Sequence, residues 1–181
     1  MNQDNNQDKK QDQAKWLILL LLLITIAAVC VTIWALFFRK TNIVLAPDYA
    51  PQETEVYADT IPDDTGEKME SEEGGGSVSL TYSNQVVIDL GDELVSLYFA
   101  NPGKSNQNMI IQIMIQDEVI VQSGTILPGH QITTLELLDG AAAMLSPGGY
   151  DGNFVILYYH PDSNEKAIVN TEIPIHIDVR E

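Results

Sequence analysis

The chain has 181 residues, enough for one ordinary domain with appendages but not for two full domains and a membrane segment. It carries 26 acidic and 9 basic residues, a formal net charge of -17, and so negative a surface repels phosphate backbones, which excludes nucleic acid as a partner. Its single cysteine excludes an internal disulfide, a cysteine-based zinc site and a CxxC redox pair.

The first predicted elements are a polar tail and an apolar helix. Residues 1–15 are rich in Asn, Gln and Asp and predict a disordered cytoplasmic tail. Residues 16–38 carry no charge over 23 positions, and a helix of that length spans a hydrocarbon core of about 30 Å. The stretch is too long for the apolar region of a cleaved signal peptide. We therefore expect one uncleaved transmembrane helix, with Cys30 as an inert membrane-facing thiol.

The charges beside this helix predict its orientation. Three lysines precede the apolar stretch and two basic residues follow it, namely Lys9, Lys10 and Lys15, then Arg39 and Lys40. This bias of one charge favours a cytoplasmic N-terminus. Residues 41–181 hold 23 acidic and 4 basic residues, which is typical of surface-exposed material. The prediction is a single-pass protein of the cell membrane with an extracytoplasmic C-terminal domain.

Residues 39–76 predict an acidic flexible linker. From residue 41 to residue 76 there are ten acidic residues, one basic residue and three prolines, without a sustained apolar period. The acidic run lacks the fixed ligand spacing of an EF-hand loop, so we interpret it as a solvated spacer and not as a calcium site.

Residues 77–181 predict an all-β domain, because short runs rich in Val, Ile, Leu, Thr and Tyr alternate with turn residues. Eight strands in about 105 residues match a sandwich of two antiparallel sheets. The predicted strands are 78–82, 86–90, 94–100, 108–116, 119–123, 131–138, 153–160 and 167–179.

The sequence Leu-Ser-Pro-Gly-Gly-Tyr at 145–150, directly before an apolar strand, resembles the tyrosine corner of immunoglobulin-like sandwiches. Gly152 occupies the position of the antibody cysteine, and strand 108–116 has no Trp, so the resemblance is to a disulfide-free immunoglobulin-like domain. A membrane helix, an acidic stalk and a β-sandwich together resemble surface proteins of Gram-positive bacteria. The resemblance implies that strands 108–116 and 153–160 are neighbours.

Strand alternation then predicts a binding surface. The stronger apolar faces point inward, with Met109 and Ile111 in one strand and Phe154 and Ile156 in the other. The opposite faces form an apolar cluster that we predict to be an exposed partner surface, unless a loop or the stalk covers it. Its residues, named here the outer-face cluster, are Ile110, Met114, Val155, Leu157 and Tyr159.

A second candidate is a recognition loop at one end of the sandwich, with Asn101, Lys104 and Asn106, although this loop also suits an ordinary connection. The sequence contains no recognisable nucleophile motif, metal-ligand spacing or phosphate loop. His130, His160 and His176 are interpreted as scattered surface residues. We therefore predict a non-enzyme without catalytic residues, cofactor or metal.

The predicted function is a membrane-anchored module that presents a β-sandwich to a protein partner, with an undetermined oligomeric state. Two other classes stay open. One is a structural accessory subunit of a transport, secretion or envelope complex, held by small residues of the membrane helix. The other is a carbohydrate-binding module, which the 7% aromatic content disfavours.

Overall fold

A computed structural model describes residues 15–30, 45–64, 66–71 and 75–181. The chain divides into two compact units, residues 1–43 and 44–181. In the first unit, residues 15–30 are helical. No helix in the described part of the chain is both long enough and apolar enough to cross a membrane. Residues 1–14 of the predicted tail and residues 31–38 of the predicted membrane helix lie outside the described residues.

The second unit consists mainly of strands, which confirms the prediction of an all-β domain. A short 3₁₀ helix, Ala142–Met144, lies in the connection between the strands His130–Glu136 and Gly148–Tyr159. The strands are β1 (Ala58–Thr60), β2 (Thr81–Tyr82), β3 (Gln85–Asp89), β4 (Leu94–Asn101), β5 (Asn108–Ile115), β6 (Glu118–Gln122), β7 (His130–Glu136), β8 (Gly148–Tyr159) and β9 (Lys166–Arg180).

The strands form one hydrogen-bonded sheet in the order β1-β7-β4-β3-β9-β8-β5-β6, with β2 paired to β4. The predicted neighbours β5 and β8 do pair. The prediction of wholly antiparallel pairing is wrong at β3 and β9, which run parallel.

The sheet is not flat. Phe99 in β4 and Phe154 in β8 are three strand spacings apart, about 14 Å in a flat sheet, yet their ring centroids are 6.3 Å apart. The sheet is therefore curled, with its two halves packed face to face.

The core lies between these two halves, and alternation along the strands supplies it. Met109 and Ile111 of β5 and Phe154 and Ile156 of β8 are fully buried in one cluster, as predicted. Gly152 interrupts the inward row of β8. A Cβ atom there would lie 2.6 Å from the carbonyl oxygen of Met114, so the close strand approach leaves no room for a side chain.

Tyr150, the third residue of β8, bonds to the turn that precedes this strand. Its hydroxyl donates to the carbonyl oxygen of Ser146 at 3.0 Å and accepts from the N–H of the same residue at 3.1 Å. The Tyr150 ring packs against the core. A tyrosine bonded to the backbone four residues upstream thus fixes the entry of β8, as the Leu145–Tyr150 sequence predicts.

The predicted flexible linker is wrong for its described residues, because they pack on the sheet. Strand β1 lies within it and pairs with β7. The N–H of Glu55 donates to the carbonyl oxygen of Thr125 at 2.9 Å, and the Lys68 ammonium donates to that of Ser105 at 2.7 Å. The boundary between the two units falls at residue 44 and not at residue 77. Hydrogen bonds from main-chain and polar side-chain groups hold this segment, and such bonds need no apolar periodicity in the sequence.

Candidate partner-binding surfaces

The outer-face cluster exists as a set of neighbouring side chains. Strand pairing places Ile110 opposite Leu157, and both pack with Val155 and Tyr159 in a second apolar cluster, separate from the main core. Met114 lies at the margin of this cluster and is half-buried. The sequence therefore predicted correctly which side chains share this face.

Of the two alternatives that the sequence leaves open, exposure is wrong, and cover by the stalk is the one that the structure supports. Ile110 and Tyr159 are 0% exposed, Leu157 is 3% exposed and Val155 is 5% exposed. The cover is residues 46–51, named here the covering segment, whose Ala46 and Ala50 side chains pack on the cluster. The outer-face cluster is thus a second, smaller core and not an open surface.

The covering segment is held mainly by its own main chain. The Tyr159 hydroxyl donates to the carbonyl oxygen of Pro47 at 2.8 Å, and the N–H of Lys166 donates to that of Asp48 at 2.9 Å. Further along, the N–H of Ala50 donates to the carbonyl oxygen of Asn164 at 2.8 Å. At its other end, the N–H of Ala46 donates to Oε1 of Gln122 at 3.0 Å. The segment therefore follows the ends of β6, β8 and β9 and closes the face.

Burial under the covering segment, with a smaller contribution from the Asp48 carboxylate, raises the pKa of Tyr159 to about 12. A tyrosine in the unfolded chain has a pKa of about 10. The folded state therefore keeps its proton where the unfolded state loses it, so we expect the contribution of Tyr159 to stability to be constant below pH 10 and to be lost between pH 10 and 12. Urea denaturation across this range measures the effect. Tyr159→Phe should flatten the decline, and an unchanged decline would contradict this assignment.

The predicted recognition loop has mainly a structural role. Asn101 is 0% exposed, and its Nδ2 donates to the carbonyl oxygens of Gln107 at 3.0 Å and Ile126 at 3.1 Å. Asn106 is half-buried, and its Oδ1 accepts the N–H of Ser77 at 2.7 Å. Of the three predicted residues, only Lys104 is exposed. The prediction that Asn101 is available to a partner is wrong. Its buried amide bonds the connection between β4 and β5 to the connection between β6 and β7.

Asp64, a residue of the predicted linker, is bonded to this loop as well. Its carboxylate accepts the N–H groups of Gly103 and Gly66. These bonds, the first one most strongly, lower the pKa of Asp64. The loop after β4 is therefore anchored by residues that the sequence assigned to a solvated spacer.

The histidines are spread over separate surroundings. Nδ1 of His176 lies 2.9 Å from Oδ1 of Asp151 on the exposed face of β9, whereas Nδ1 of His160 accepts the N–H of Asp162. His130 contacts the carbonyl oxygen of Pro128 at 3.3 Å. Within the residues described by the structure, no group of three or more His, Cys, Asp or Glu side chains is placed to hold a metal ion.

The sequence did not single out the most exposed of the large apolar side chains in the described strands, which lie in the first half of β9. Ile168 is fully exposed and Val169 is 71% exposed. β9 uses residues 166–170 where β8 uses only 157–159, so the extra residues bulge outward. The break of alternation at two adjacent apolar residues was the available signal, because β9 otherwise alternates strictly from residue 173 to residue 179.

This part of β9 is also an open sheet edge. β3 pairs only with residues 176–180, and the covering segment bonds the N–H of Lys166. Among the described residues, none pairs with residues 167–175 on the side away from β8. We name residues 167–175 the open edge. Pro174 lies in it, as its inability to donate a ladder hydrogen bond predicts for an edge strand.

A comparison of the sequence with models of known protein families finds no match, and a comparison with curated proteins finds no significant similarity. The function is therefore argued from the surfaces themselves.

Proposed function

We propose that this chain is a single-pass, membrane-anchored extracytoplasmic module that binds a protein partner by strand addition at the open edge. The carrying observation is the pair of exposed side chains Ile168 and Val169 on an edge whose main-chain groups pair with no described residue on the side away from β8. Exposed apolar edges pair readily with another chain, which contributes main-chain hydrogen bonds and side-chain contacts. This edge, and not the buried outer-face cluster, is therefore our candidate binding surface.

The scaffold we propose is an immunoglobulin-like sandwich. Its support is the pairing of β3 with both β4 and β9, which joins a half containing β7-β4-β3 to a half containing β9-β8-β5-β6. The hydroxyl of Tyr150, bonded to the backbone of Ser146 at the corner before β8, adds a feature of that fold. Such a scaffold holds an edge strand rigidly, so less entropy is lost when a partner pairs with it.

The membrane anchor is supported by the apolar stretch 16–38. In its described part, large aliphatic side chains from Leu17 to Ile26 are exposed, which suits a lipid surrounding. The hydroxyl of Thr25 donates to the carbonyl oxygen of Leu22 at 2.8 Å, so this polar group is satisfied within the helix. The flanking charges favour a cytoplasmic N-terminus. Residues 39–45 then form the sequence between this stretch and the covering segment.

A photoreactive amino acid in place of Ile168 in the full chain tests the proposal in intact cells. We expect one discrete protein adduct after irradiation, and its loss when Val169→Glu places a charge on the open edge. The matched control carries the photoreactive group at Val56, which is 86% exposed but lies outside the strands. External protease should remove the β domain. Equal labelling at positions 168 and 56 would refute the proposed binding mode. A β domain that resists external protease in intact cells would refute the proposed orientation.

A further inference from the structure

We propose that the covering segment regulates the open edge. It pairs with the end of β9 toward which a bound partner strand extends, so the partner has to displace it. This inference rests on the proposed function and adds the regulation of that same site. Because displacement also uncovers the outer-face cluster, binding at the edge and exposure of the cluster are coupled. The covering segment is thus an autoinhibitory contact of the chain with itself.

The covering segment already adds to the sheet beside the start of β9. It pairs there in the antiparallel direction. The N–H of Ala50 donates to the carbonyl oxygen of Asn164 at 2.8 Å, and the N–H of Lys166 donates to that of Asp48 at 2.9 Å. Residues 164–166 therefore accept an added strand on the side away from β8, and the chain's own segment occupies that side.

A partner strand on the open edge meets this segment. The edge cannot lengthen toward the end of β9, because Pro174 provides no N–H and β3 pairs with β9 from His176 onward. Toward the start of β9, the exposed Ile168 lies only two residues from Lys166. A strand that covers Ile168 and continues along β9 reaches the N–H of Lys166, which already donates to the covering segment. The two chains therefore compete for this place.

Two features make the covering segment easy to displace. The apolar side chains that it adds to the cluster are those of Ala46 and Ala50, which bury little area. Ala46 also has a φ of 46°, a left-handed conformation that is strained for a residue with a Cβ atom. Pro47 follows it and provides no N–H to continue the pairing. Release relieves the strain, and a partner strand replaces the main-chain bonds that β9 loses.

A disulfide that locks the covering segment tests the competition in the full chain, in intact cells. Tyr49 and Glu165 are antiparallel bridge partners, and both are exposed. Main-chain hydrogen bonds flank this pair, which places its Cα atoms about 4.5 Å apart and suits a disulfide. Cys30 is replaced by serine, both partners are replaced by cysteine, and a photoreactive amino acid replaces Ile168. After oxidation we expect at least about tenfold less protein adduct than after reduction of the same chain, because the locked segment cannot leave.

The matched control carries Tyr49→Ser and Glu165→Ser and should give the same adduct yield under oxidising and reducing conditions. Mass spectrometry of the oxidised chain verifies the disulfide. Equal adduct yields from the locked and the reduced chain would overturn the competition and leave strand addition at the open edge standing. Absence of an adduct in both states would refute the proposed function itself.

Thiol labelling of the full chain measures release of the covering segment without a partner. In the Cys30→Ser background, Val155→Cys places a thiol beneath the covering segment, and Val95→Cys places one in the main core. Both valines are buried. We expect labelling at position 155 to be at least about tenfold faster and less dependent on urea, since local release exposes less surface than unfolding of the domain. Equal rates with equal urea dependence would mean that the segment leaves only when the domain unfolds, which would contradict the proposal.

Discussion

Replacing Leu157 with lysine is expected to unfold the β domain. Leu157 is 3% exposed beneath the covering segment and packs with Ile110 and Tyr159. Truncating a buried leucine to alanine already costs about 2–5 kcal/mol, and a lysine there adds the desolvation of a charge. The free energy of unfolding of a whole domain is only about 5–15 kcal/mol. We therefore expect the variant to lose nearly all of its stability. Urea denaturation of residues 44–181, followed by circular dichroism, measures it.

The matched control is Val56→Lys, the same exchange of an aliphatic side chain for a charged one at a position that is 86% exposed. Exposed substitutions usually change the free energy of unfolding by no more than about 0.5 kcal/mol. If Leu157→Lys were as mild as this control, the outer-face cluster would be open in solution. The predicted exposed partner surface would then be restored, and the docked position of the covering segment would be refuted.

The strands and their inward faces were predictable because alternation is a strong local signal. In β9, Ile175, Ile177 and Val179 are buried and the residues between them are exposed, as the sequence indicates. The corner at Tyr150 was predictable for a similar reason, since a short turn sequence directly before an apolar strand specifies it. Both signals depend only on residues close together in the chain.

The covering segment was not predictable from such signals. Its composition is that of a solvated spacer, and the apolar side chains that it adds to the cluster are the small ones of Ala46 and Ala50. Its attachment depends on main-chain groups, such as the carbonyl oxygen of Pro47, and not on a characteristic side chain. A segment is assigned as a spacer from its composition and its lack of apolar periodicity. Main-chain bonds to distant strands change neither of these, so the sequence does not reveal them.

The buried position of Asn101 was hidden for the same reason. A turn-forming Asn-Pro-Gly sequence suggests an exposed loop, but the Asn101 amide bonds carbonyl groups 6 and 25 residues away. The open edge left one signal in the sequence, Pro174, because a proline within a strand is typical of an edge strand. What the sequence did not show is where β3 stops pairing, and that boundary leaves Ile168 and Val169 uncovered.

A fragment beginning at residue 77 is expected to be far less stable than one beginning at residue 44. It lacks β1 and the covering segment, so the outer-face cluster becomes exposed. Full burial of one large apolar side chain is worth about 1.5–3 kcal/mol. Loss of half the burial of Ile110, Val155, Leu157 and Tyr159 therefore costs on the order of 5 kcal/mol, comparable with the total stability of a small domain. Urea denaturation of the two fragments gives the difference directly.

An intermediate fragment beginning at residue 52 separates the two contributions, because it keeps β1 but lacks the covering segment. If cover of the outer-face cluster dominates, this fragment should lose most of the stability that the shorter one loses. If β1 and its pairing with β7 dominate, it should instead resemble the fragment that begins at residue 44. Equal stability of all three fragments would mean that residues 44–76 are a free tether after all. In that case the outer-face cluster would compete with the open edge as the binding surface.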